Sequence, residues 1–139
     1  MKKNKKSPPS EWQVSQEISQ SILSIAKDKE IACHRAFELA KTFHITPQEI
    51  GYYADHLSLG LTQCQLGLFG YHPDKKKVHP SESVSENLTM HIQKALDQGK
   101  LSCINAWAIA ESLNISKFEV SSACEAMNIK ISSCQIGAF

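Results

Sequence analysis

Apolar residues along this chain fall into three helical sets followed by an alternating stretch. Ile18, Ile22 and Ile25 recur at three-and-four spacing, then Ile31, Cys33, Ala36, Phe37, Ala40 and Phe43, then Ile50, Ala54 and Leu57. Such spacing lines up one buried stripe per helix. It predicts a first helix over residues 11–26, a second over residues 31–43 and a third over residues 47–57. The polar run Lys27-Asp28-Lys29 separates the first two. After the third set, Leu59-Gly60-Leu61 alternates, which predicts a short extended segment. The run Cys64-Gln65-Leu66-Gly67-Leu68-Phe69 follows, with its glycine marking a turn.

The same pattern is then written again. Residues 18–69 laid on residues 88–139 match without a gap. Ile22 falls on Ile92, Cys33 on Cys103, Ala36 on Ala106, Ala40 on Ala110 and Glu49 on Glu119. The ending recurs as Cys134-Gln135-Ile136-Gly137-Ala138-Phe139. The counterpart helices are expected over residues 85–96, 101–113 and 117–127, with Ile129-Lys130-Ile131 as the extended piece. An ungapped repeat of this kind is one supersecondary unit used twice.

Helix boundaries are marked in both copies. Thr46-Pro47-Gln48-Glu49 and Ser116-Lys117-Phe118-Glu119 read as capping boxes, in which a hydroxyl accepts from a backbone N–H and the glutamate reaches back. Just before them stand His44 and Asn114, residue types that tolerate the left-handed backbone ending a helix. The expected class is therefore all-α: two tandem three-helix units packed together, each with a short extended or turn segment at its end. Residues 1–10 read as a disordered basic tail, 11–69 as the first unit, 70–84 as an exposed linker and 85–139 as the second unit.

Composition narrows the function classes. The 139 residues are 42% hydrophobic and 21% charged, a globular balance. No apolar run is long enough to cross a bilayer, and the lysine-rich start has no apolar core behind it. A cytoplasmic protein is expected. The net charge of +1 hides an uneven distribution. Lys2, Lys3, Lys5 and Lys6 crowd the first residues, and Lys75, Lys76 and Lys77 the interrepeat stretch, while the repeats have no basic excess.

The second and third helices resemble a helix-turn-helix. The resemblance rests on Ala40-Lys41-Thr42-Phe43-His44-Ile45-Thr46-Pro47-Gln48-Glu49-Ile50 and on residues 110–120. A small residue lets two helices approach, an apolar one closes the first, a second apolar residue plugs the corner and a hydroxyl caps the next helix. Every slot is filled in both copies except the turn glycine, replaced by His44 and Asn114. The resemblance implies a small regulatory binding protein, with DNA as one candidate partner. Lys2, Lys3, Lys5, Lys6, Gln48, Lys75, Lys76, Lys77 and Lys117 are the candidate contacts. The third helices themselves are poorly equipped for phosphate, since Glu49 and Asp55, or Glu119 and Glu125, outweigh their bases.

The other reading is a protein partner or a homodimer. Tyr52 and Tyr53 are the candidate interface residues, because Tyr is enriched at interfaces and the second copy has Ser122 and Ala123 there. Cys33, Cys64, Cys103 and Cys134 recur between copies and could be imagined as a metal site. Their spacing lacks the short pairs of metal sites, so small buried hydrophobes are the expected role. No nucleophile elbow, phosphate loop or paired carboxylates occur, and neither an enzyme nor a cofactor is expected.

Overall fold

Short polar residues start most of the helices. Ser15 caps α1 (Gln16–Ile25) and Ser85 caps α4 (Glu86–Ala95), each hydroxyl accepting a backbone N–H three residues on. Thr46 and Ser116 form capping boxes with Glu49 and Glu119 at the start of α3 (Pro47–His56) and α6 (Lys117–Ala126). Ser102 caps α5 (Cys103–Leu113), whereas its counterpart Ala32 gives α2 (Cys33–Thr42) no side-chain cap. His44 and Asn114 are left-handed, with φ of 54° and 56°. The structure is a computed structural model and describes residues 7–72 and 75–139.

The chain is mostly helical, but it also carries short strands, those at Leu61 and Ile131 where the alternation placed extended segments and those at Ile31 and Leu101 where the apolar spacing did not suggest them. Strand β1 (Glu30–Ala32) pairs in parallel with β2 (Gly60–Thr62), and β3 (Lys100–Ser102) with β4 (Lys130–Ser132). Ile31 faces Leu61 and Leu101 faces Ile131 in these ladders. Ile31 and Leu101 were expected inside the second helices, which instead begin at Cys33 and Cys103. The backbone at Lys27 and Glu30 explains the difference: each donates to the other's carbonyl, a tight turn that feeds an extended chain. Parallel strands need a crossover, and the helix pair α2–α3, or α5–α6, supplies it.

The first helix is also shorter than expected. Trp12 donates to the Pro9 carbonyl in a turn, and the Ser15 N–H is taken by the Tyr53 hydroxyl at 2.9 Å, so helical bonding starts only at Gln16.

Every element of the second set lies seventy residues beyond its counterpart's start. The compact units, however, do not coincide with the repeats. The first comprises the chain up to Cys64 together with Gln135–Phe139; the second comprises Gln65–Cys134. In the first, α2 packs on α1 and α3 over a core of Ile22, Ile31, Ala36, Leu39, Ala40, Ile50 and Ala54. In the second, α4 packs on α5 and α6 over Ile92, Leu101, Ala106, Ile109, Ala110, Val120 and Cys124. Each fully buried aliphatic side chain contributes roughly 1.5–3 kcal/mol.

Most described residues of the interrepeat stretch 70–84 are exposed, and three backbone bonds tie it to the rest of the second unit. Lys77 and Val78 donate to the Gly67 carbonyl, Ser81 donates to the Ser122 carbonyl, and Val78 is buried.

Candidate functional site

One stripe of α3 carries Gln48, Gly51, Tyr52 and Asp55, residues three or four apart and hence on a shared face. Gly51 is buried there, and a Cβ on it would collide with the main-chain carbonyl of Ile136. The segment 135–139 thus reaches this helix in the first unit by its backbone, with Ile136 only 2% exposed. Glycine inside a helix costs about 1 kcal/mol relative to alanine. At this position the close approach offsets that cost.

The corresponding stripe of α6 carries Phe118, Ser121, Ser122 and Glu125. It is also covered, by Gly67, Lys76 and Ser81 of the second unit. Gly67 has φ of +75°, and a Cβ there would stand 2.9 Å from the Phe118 ring and 3.2 Å from Val78. The Lys117 ammonium donates to Gln65 Oε1 at 3.3 Å and sits 4.2 Å from the Trp107 ring centroid. Glu125 forms an ion pair with Lys76. By the seventy-residue correspondence, Ser121 holds the place of Gly51 and Leu66 that of Ile136; both are fully buried. The two units therefore share one device. In each, a Gln-(Leu/Ile)-Gly segment belongs to the unit built on the other repeat's helices.

The candidate cations are placed as follows. Lys2, Lys3, Lys5 and Lys6 lie outside the described residues. Lys76 is paired with Glu125, Lys77 lies 5.3 Å from the Tyr71 ring centroid, and Lys117 is engaged with Trp107 and Gln65. Lys75 and Gln48 are exposed. The structure brings Lys75, Lys76 and Lys77 together on one stretch and gives two of the three an aromatic or acidic neighbour.

The two tyrosines part company. Tyr53 is 3% exposed and fills the core beside Trp12, with ring centroids 4.9 Å apart, while its hydroxyl accepts from Ser15. Burial removes it from any interface on the surface of the described chain. Tyr52 is half-buried, edge-on to the same Trp12 at 5.5 Å.

The recurring cysteines divide two by two: Cys33 and Cys64 in the first unit, Cys103 and Cys134 in the second. Among the described residues, no three His, Cys, Asp or Glu side chains converge to hold a metal ion, and no two cysteines form a disulfide. Cys124, which does not recur, is buried on α6. Burial, with a smaller contribution from the charge of Glu125, pushes its thiol from about 9 up to about 11. That is the opposite of the activation a nucleophile or ligand needs.

Gly51 and Ser121 were not singled out from the sequence. A signal existed: both repeats place a small residue at the same mid-helix position, and in one it is glycine. No helix among the described residues is long and apolar enough to cross a membrane. No family model, curated protein or solved structure matches this chain.

Proposed function

We propose that this chain is a small non-catalytic binding protein of regulatory type, whose two helix-turn-helix-like units engage polypeptide rather than DNA. The doubled caps, the left-handed His44 and Asn114 and the packing of α2 on α3 and of α5 on α6 support the helix-turn-helix-like reading. One observation carries the choice of partner: the middle of each stripe that would face a DNA groove, at Gly51 of α3 and Ser121 of α6, is buried under polypeptide. Ile136 closes on Gly51 in one unit, and Gln65, Gly67 and Lys76 cover α6 in the other.

Charge points the same way. Helix α3 has Glu49 and Asp55 but no Lys or Arg, and the lysine of α6 is already engaged. Phosphate contacts supply most of the affinity for DNA, so such faces gain little from a duplex. DNA stays as the second reading because Gln48 and Lys75 are exposed.

Retardation of a mixed-sequence duplex by the whole chain at low salt decides between them. The expected result is no shift at micromolar protein. A salt-dependent shift that survives neutralisation of Lys75, Lys76 and Lys77 and removal of residues 1–6 would establish the DNA reading instead.

A further inference from the structure

We propose that the site around Gly51 on α3 also receives residues 135–139 from a second copy of this chain, so that two copies join by exchanging these arms. The inference rests on the reading that third-helix faces bind polypeptide, and names the polypeptide.

Three observations support it. The arm is a discrete piece: the chain leaves the second unit after Cys134 and enters the first at Gln135, and a buried side chain, Ile136, anchors it. The receiving site is specific for main chain, because only a residue without a Cβ at position 51 leaves room for the Ile136 carbonyl. The hinge is strained: Ser133, two residues before Gln135, is left-handed with φ of 54°, as is Gln63 with φ of 51° at the matching place. A non-glycine residue pays for that conformation, and short strained hinges favour exchange of identical elements between copies.

The contacts themselves are indifferent to which copy supplies the arm. Ile136 meets the same Gly51 in the closed chain and in the exchanged pair. The balance is then set by the effective concentration of the tethered arm against relief at Ser133. Self-association by this route buries no new surface, so a single chain and an exchanged pair share one set of contacts.

Two variants separate arm from site in the full-length chain. Ile136→Asp spoils the arm and leaves the site open; Gly51→Val blocks the site and leaves the arm unhoused. Each alone is expected to elute as a monomer in size-exclusion chromatography with light scattering. Mixed in equal amounts, they are expected to form a one-to-one complex. A mixture that stays as two folded monomers overturns the proposal, whereas failure of the underlying polypeptide reading would show separately, as duplex retardation.

The hinge gives a second test that disturbs neither arm nor site. Ser133→Gly removes the strain and Ser133→Val increases it, so the dimer fraction of the second is expected to exceed that of the first by about fivefold. Equal fractions would overturn the proposal even if one of the first two variants failed to fold.

Discussion

The carbonyl oxygen of Ile136 stands where the Cβ of residue 51 would be, so Gly51 and Ile136 fit only as a pair. In an unobstructed helix, Gly→Ala stabilises by about 1 kcal/mol. Here Gly51→Ala is expected to destabilise the chain by about 1–3 kcal/mol, the usual cost of overpacking. In a chain ending at Cys134 the obstruction is gone, and the same substitution is expected to stabilise by about 1 kcal/mol. Urea denaturation of the four chains measures this reversal. The same sign in both backgrounds would mean that the arm does not lie on α3.

Tyr53 and Tyr52 both touch Trp12, but only the Tyr53 hydroxyl accepts from the Ser15 N–H. Tyr53→Phe keeps the ring and leaves a part-buried donor unpaired, at a cost of about 1–2 kcal/mol. Tyr52→Phe is expected to change stability by less than about 0.5 kcal/mol, as is usual for surface substitutions. Thermal melts of the two variants give the comparison, and equal losses would contradict it.

The capping boxes at Thr46 and Ser116 are expected to be equivalent in energy. Thr46→Ala and Ser116→Ala should each cost about 1 kcal/mol. Because the sites lie in different compact units, the double variant should lose the sum. A silent member, read by denaturant midpoint, would show that its box is not used.

Cys124 makes stability fall in alkali. Its thiol is held up to about 11 in the folded chain against about 9 when exposed, so the folded state binds more protons across that interval. The stabilisation is present in full below pH 9 and is lost as pH rises toward 11. It amounts to roughly 2–3 kcal/mol at most. Cys124→Ala, which copies Ala54 of the other repeat, should flatten that part of the stability profile. Denaturant melts from pH 8 to 11 test this, and an unchanged slope in Cys124→Ala would refute it.

The helices were legible in the sequence because their signals are local. Thr46 with Glu49, Ser116 with Glu119, and the apolar stripes all act within a turn or two of the chain. Strand β1 was not, because three residues ending at Ala32 lie directly against a helix and share its apolar character. What pairs Ile31 with Leu61 is a partner thirty residues away, which periodicity cannot see. The covering of α3 was hidden for the same reason. Gly51 and Ile136 are far apart in sequence, and the repeat made the Gln-(Leu/Ile)-Gly ending look like the close of its own unit. Which of the two tyrosines is buried was not legible either, because what covers Tyr53 is Trp12, upstream of the helix.

The path of the chain also sets an order of assembly. During synthesis the second unit has all its residues once Cys134 has emerged, since Gln65–Cys134 is one continuous stretch. The first unit is begun earlier but stays incomplete until residues 135–139 have left the ribosome. Until then the helix bearing Gly51 is uncovered for the time taken to translate some seventy further residues, several seconds at about 5–20 residues per second. Of the two units, the one begun first is completed second.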